Sequence, residues 1–170
     1  MPPMTQSASD TAAFPPDTIE GFLRFCAGEW MSLRSRFALD TPDDAGEGDE
    51  WHSSERGELV VTYLEPAAAD SPGGLSVGPK GEAPRHLLFS GDGAFSAGDR
   101  QGRWQLWPDG SLELLLGDGA AEVRERIWFT KPNLRLRSTV ENGADGSPSR
   151  ASFCSEIRRV SRPASPAAAA

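Results

Sequence analysis

Of the 17 basic residues in this chain only Lys80 and Lys131 are lysines; the rest are arginines. Set among many alanines and glycines, they fit a GC-rich coding sequence, yet they also stock the chain with the side chain best suited to planar, bidentate recognition of carboxylates. A basic excess is missing as well. The 25 acidic residues leave a formal charge of -8, which argues against nucleic acid as a partner, since that needs a cationic footprint to displace counterions. Cysteine is scarce: Cys26 and Cys154 are too few for a disulfide framework or a four-ligand zinc site and read as small buried thiols. No apolar run reaches the roughly 18 to 20 residues of a membrane span. The opening MPPMTQSASDTAAFPPDT has no basic segment followed by an apolar core, so no membrane segment is expected and the expected setting is the cytoplasm. The glycine-rich GDGAFSAGD at 91–99 lacks the Lys-Ser/Thr ending and the following helix of a phosphate loop.

What is present is a series of short strand patterns behind a single helix. One hundred and seventy residues suit one domain, expected over 17–162, between flexible low-complexity tails at 1–16 and 163–170. Asp17 or Thr18 is the expected N-cap of a helix whose Ile19, Phe22, Leu23 and Cys26 recur at the spacing of one apolar face. Such a one-sided helix must lie on something, and the open end of a small barrel is the natural place. Gly28 ends it. Strands are expected at Trp30–Leu39, Glu58–Leu64, His86–Phe89, Gly102–Trp107, Ser111–Leu116, Glu125–Phe129, Leu134–Thr139 and Ser152–Val160. An acidic loop is expected at Pro42–Asp49, and a loop-like stretch from Pro66 to Pro84 around a short Leu75-Ser76-Val77. About eight to ten short strands fit a closed antiparallel barrel or a sandwich, and a barrel of that size has room for one small ligand.

Two strands carry a sharper signal. In Leu134–Thr139, alternation puts Arg135, Arg137 and Thr139 on one face and Leu134, Leu136 and Ser138 on the other. In Trp30–Leu39 it sets Trp30, Ser32, Arg34, Arg36 and Ala38 opposite Met31, Leu33, Ser35, Phe37 and Leu39. Two arrangements are compatible with this pattern: either the apolar stripes pack inward and the arginines are a wetted outer surface, or the arginines point into a barrel. A buried guanidinium without a counter-charge is costly. The second arrangement therefore calls for an anionic ligand.

The run ERIWFTKPNLRLR at 125–137, the later ASFCSEIR at 151–158 and the opening GEWMSLRS at 28–35 resemble, in order, three blocks of the S-type phycobiliprotein lyases, the CpcS/CpeS family. Between Pro42 and about Gly102 the likeness fades. The resemblance implies an all-β fold, a lipocalin-like up-and-down antiparallel β-barrel of about ten strands with one short N-terminal helix at the barrel end. It further implies a chromophore lyase that binds a phycobilin, phycocyanobilin or phycoerythrobilin, as substrate rather than as resident cofactor. The bilin would be attached by a thioether bond to a cysteine of an apo-phycobiliprotein α or β subunit. On that reading Arg34, Arg135 and Arg137 hold the bilin propionates, Thr139 continues their face and Trp128 walls the tetrapyrrole rings; no metal is called for. The acceptor thiolate adds to the ethylidene group of ring A, and Glu125, Glu156 or a water supplies the proton, with no catalytic residue assigned and Cys154 read as a core thiol. The implied assembly is a homodimer or a heterodimer with a sister lyase subunit in the cyanobacterial cytoplasm. The chain departs from the family at Phe37, where a histidine often follows the arginine strand, and at Val77 or Gly78, where a tryptophan follows the paired glycines. Those departures keep open a second reading, a lipocalin-like bilin carrier that does not ligate.

Overall fold

The computed structural model describes residues 13–39, 51–117 and 121–160; the expected loop at 42–49, the tail at 163–170 and residues 1–12 of the other tail lie outside them. After the helix α1 (Ile19–Cys26) come β1 (Gly28–Ala38), β2 (His52–Leu64), β3 (Gly73–Pro79), β4 (Arg85–Phe89), β5 (Ala94–Ala97), β6 (Arg100–Leu106), β7 (Leu112–Gly117), β8 (Glu122–Lys131), β9 (Leu134–Asn142) and β10 (Pro148–Arg158). Every strand pairs antiparallel with its neighbour in sequence, and β1 closes on β10 to complete a barrel. The sandwich alternative is thereby excluded. Closure leaves no sheet edge with unpaired backbone groups.

β8, β9 and β10 run a few residues past their expected ends, and three other strands depart further from the sequence pattern. β2 begins at His52 rather than Glu58, because the polar HSSERG run, which shows no alternation, is held by its backbone pairing to β1 from Phe37 to Ser32. β3 and β5 lie inside segments that read as glycine-rich loops. Gly93 and Gly98 take positive φ at the turns on either side of β5, a conformation only glycine adopts without strain, and Gly102 lets β6 approach β7 so closely that a Cβ would sit 2.0 Å from the carbonyl oxygen of Leu115.

One end of the barrel is sealed by α1. Thr18, not Asp17, caps it: its side-chain oxygen accepts a hydrogen bond from the Gly21 amide at 3.0 Å. Phe22, Leu23 and Cys26 are buried, and the Phe129 ring packs edge-on against Phe22 and Phe25, with centroids 5.2 and 4.8 Å away. At the helix C-terminus the Arg158 guanidinium donates to the carbonyls of Phe25, at 2.6 Å, and Ala27, neutralising carbonyls that have no partner inside the helix. The tail expected to stay flexible through residue 16 packs at its last residues: Pro16 is buried and the Phe14 ring lies 5.9 Å from that of Phe25. No helix among the described residues is long and apolar enough to cross a membrane.

Candidate functional site

Antiparallel register stacks the inward side chains of β8, β9, β10 and β1 into three rungs. Nearest the helix, Phe129, Arg135, Glu156 and Ser32 lie side by side; one rung up come Ile127, Arg137, Cys154 and Arg34; next toward the open end come Glu125, Thr139, Ser152 and Arg36. The arginines thus face the interior, and the second of the two arrangements holds. Its apolar stripes are outside: Met31, Leu33, Phe153 and Ile157 are among the exposed large hydrophobics.

The expectation that these arginines wait without a counter-charge is corrected by the acids that the same rungs bring in. Glu156, fully buried, accepts from Arg135 Nε at 3.2 Å and Nη2 at 3.1 Å, a bidentate fork. Burial works against ionising the Glu156 carboxyl, but Arg135 and Arg137 outweigh it and hold the group below the usual carboxylate range. Burial likewise opposes the charge on Arg135, and its neighbours, Glu156 among them, overcome it and raise its pKa. Arg135 also lies 4.8 Å above the centre of the buried Trp30 ring, away from the cavity at the open end. It belongs to the sealed end, as does Glu156, which is therefore not available as a proton donor to a ligand.

The second rung is different. Arg137 has one nitrogen 3.7 Å from Glu125 and another 3.5 Å from Glu156, and these acids raise its pKa against the pull of burial. Its Nε is buried with no hydrogen-bond partner. Arg34 Nε donates to the Cys154 sulfur at 3.2 Å, and Cys154 is buried. Thr139 donates to Glu125 at 3.2 Å. Above this rung the barrel opens into a cavity of about 560 Å³, lined by Arg34, Arg137, Thr139, Glu125 and Ser152 and, at the mouth, by Arg85, Arg100, Arg150, Glu141 and Trp51. That volume lies within the roughly 300–1,000 Å³ of small-molecule sites.

Of the five residues expected at the site, Arg34, Arg137 and Thr139 line this cavity, while Arg135 and Trp128 do not. Trp128 is on the outer face of β8, directly across from Leu136, with its ring 6.4 Å from that of Phe153; strand parity with the buried Ile127 and Phe129 forces it out. The mouth arginines were not anticipated. Arg150 shares the parity of Ser152 and Cys154, and Arg85 that of Leu87 and Phe89, so alternation carried the signal once the strands were known. Among the described residues no cluster of His, Cys, Asp and Glu is arranged to hold a metal ion.

Residues 86–159 match the family model described as CpeS-like protein. The chain is 46% identical over 154 residues to chromophore lyase CpcS/CpeS 1 of Paulinella chromatophora, spanning 89% of this chain and 94% of that one. It belongs to the CpcS/CpeS chromophore lyase family. A second relative, chromophore lyase CpcS/CpeS 1 of Synechocystis sp., is 27% identical and spans 82% of this chain and 89% of its own. The S-type phycobiliprotein lyase of Guillardia theta shares the fold, with a TM-score of 0.64 at 19% identity over 85% of this chain and 94% of that one. Both departures noted for this CpcS/CpeS member acquire a location. Phe37 sits on the rim of the mouth, its ring 5.1 Å from that of His52 across the strand pair, so β2 supplies an imidazole next to a position that lacks one. Val77 points inward beside Val61, whereas Gly78 turns away toward Pro84; Val77 is the position at which a larger ring would enter the barrel.

Proposed function

We propose that this chromophore lyase holds an open-chain phycobilin in the barrel cavity and presents it to a cysteine of an apo-phycobiliprotein subunit, which it then joins through a thioether bond. The observation that carries the reading is the unpartnered, buried Nε of Arg137 beside Arg34 at the floor of an arginine-lined cavity. A guanidinium with a free donor in a half-dry site is suited to a carboxylate, and a bilin brings two propionates. Arg34 and Arg137 would take one and Arg150 would meet the other, while Arg85 and Arg100 at the rim would guide the pigment in. In the reaction the acceptor sulfur attacks the exocyclic ethylidene carbon of ring A, the double-bond electrons move into the conjugated rings, and the bilin takes up the proton the thiol gives up. Nothing leaves and no oxidant is needed. Glu125 and Glu141 are the carboxylates on the cavity wall through which that proton would pass. The chain's remaining contribution is to fix the bilin with ring A at the mouth, where orientation alone is worth a large rate factor.

The test mixes the purified chain with phycocyanobilin or phycoerythrobilin and each apo-subunit. A zinc-fluorescent, acid-stable adduct on the acceptor is the expected result; a coloured complex with no transfer identifies a carrier instead. In the same assay, no change in the bilin spectrum on mixing removes the cavity assignment.

A further inference from the structure

The outward side chains of β1 from Met31 to Phe37, of β9 from Leu134 to Val140 and of β10 from Ala151 to Ile157 include no charged residue, although a quarter of the chain is charged. Within that field Met31 is 50% exposed, Leu33 43%, Phe153 41% and Ile157 54%. They are neighbours rather than scattered: Met31 pairs with Ile157 and Leu33 with Ser155, while Phe153 touches Trp128 at the β8 edge. Single exposed apolar residues are ordinary, but a contiguous patch of a few hundred Å² marks a surface that something covers. We infer that this outer face docks the protein that receives the chromophore. This inference rests on the proposed function.

Two features select that occupant. Three strands about 4.8 Å apart, with outward side chains about 6.8 Å apart along each, make a face on the order of 300 Å², less than half of the roughly 800 Å² per partner of a standard stable complex. An interface of that size suits a partner that arrives, is modified and leaves, and falls short of what a permanent dimer needs. The face is also continuous with the mouth. Phe37 ends the uncharged stretch of β1 and lines the cavity together with Trp51, the two rings being stacked 6.0 Å apart. A protein seated on β1 and β10 therefore has its edge where ring A emerges. The complementary partner carries an uncharged apolar patch close to its reactive cysteine.

The experiment uses the apo-subunit on which the parent chain leaves an acid-stable bilin adduct. Leu33→Glu and Phe153→Glu, singly and together, place a carboxylate on the face without touching the core. Bilin titration should change by less than about twofold, while the apparent KM for the apo-subunit should rise about tenfold or more, as for the loss of a central interface anchor. Leu88→Glu, at an equally exposed apolar position on β4, should leave both unchanged. A benzophenone amino acid in place of Leu33 should crosslink to the apo-subunit. An unaltered KM in the double variant, or crosslinks only to a second copy of the chain, overturns the inference and leaves the proposed function intact. Failure of the parent chain to form any adduct removes the proposed function itself.

Discussion

At the scale of single residues, Arg135 and Arg34, both assigned to the bilin propionates by the resemblance, do different work. Arg135 is locked to Glu156 beneath Trp30, so its loss should be read in stability: Arg135→Leu leaves a buried carboxylate without its fork and is expected to cost about 3 to 5 kcal/mol in denaturant unfolding. Arg34 makes no such fork: it hydrogen-bonds to the Cys154 sulfur and adds only the least of the attractions that hold Glu156 ionised. Arg34→Leu should keep the fold and weaken bilin binding by about 1.5 to 3 kcal/mol, the worth of a hydrogen bond to a charged group, as measured by absorbance titration. Equal effects of both substitutions on affinity and on unfolding would contradict this division. Glu156 gives the pH counterpart. Its carboxyl is depressed in the folded state relative to about 4.3 in an unfolded chain, so its contribution is fully present above that value and is lost as pH falls through the lower folded value. In Glu156→Gln the unfolding free energy should be lower at neutral pH and should lose less on acidification below about pH 4.3; parallel curves for the two proteins would refute the assignment. Parity grouped the arginines of each strand on one face, because alternation is a local property, but left open whether that face is the inner one. It could not reveal Glu156, which lies 21 residues from Arg135 and meets it only through the β9–β10 register.

Among elements, the helix is the best-read and the most consequential. Its apolar face, its start and its stop were all legible, since capping and 3.6-residue periodicity are written in adjacent residues. What holds it down was not, because Arg158 reaches it from the far end of the last strand. Arg158 bonds two helix carbonyls and lies 4.3 Å over the Trp30 ring, and desolvation there lowers its pKa. Arg158→Ala is predicted to lower stability by about 1.5 to 3 kcal/mol and to speed amide exchange in 19–26 more than in β8 and β9, while leaving bilin affinity nearly unchanged, since the cavity opens at the other end. Uniform acceleration across the barrel would show that the helix does not open as a separate unit. The short strands β3 and β5 were illegible for the opposite reason: glycines that serve as turns and close approaches leave too few side chains to display alternation.

For the molecule as a whole, the composition that excluded nucleic acid also conceals a local reversal of sign. The chain carries a charge of -8, yet Arg34, Arg36, Arg85, Arg100, Arg137 and Arg150 all converge on the cavity and its mouth, and of these Arg36 is offset by Glu55 at 2.6 Å and Arg137 by Glu125 and Glu156. No linear reading finds this, because the six come from β1, β4, β6, β9 and β10 and only barrel closure unites them. A cationic mouth with low-dielectric walls focuses field toward an anionic ligand and raises its rate of arrival more than its residence time. Arg85 and Arg100 stand at the exposed rim, away from the floor formed by Arg34 and Arg137. Reversing both, Arg85→Glu with Arg100→Glu, should slow bilin association by about tenfold at low salt in stopped-flow measurements and change the dissociation rate by less than about twofold. Because the Debye length shrinks from about 10 Å at 0.1 M to about 3 Å at 1 M salt, the difference in association rate should nearly vanish at the higher concentration. A dissociation rate that rises instead, with a deficit that survives salt, would mean that the rim arginines grip the second propionate directly rather than guiding the pigment in.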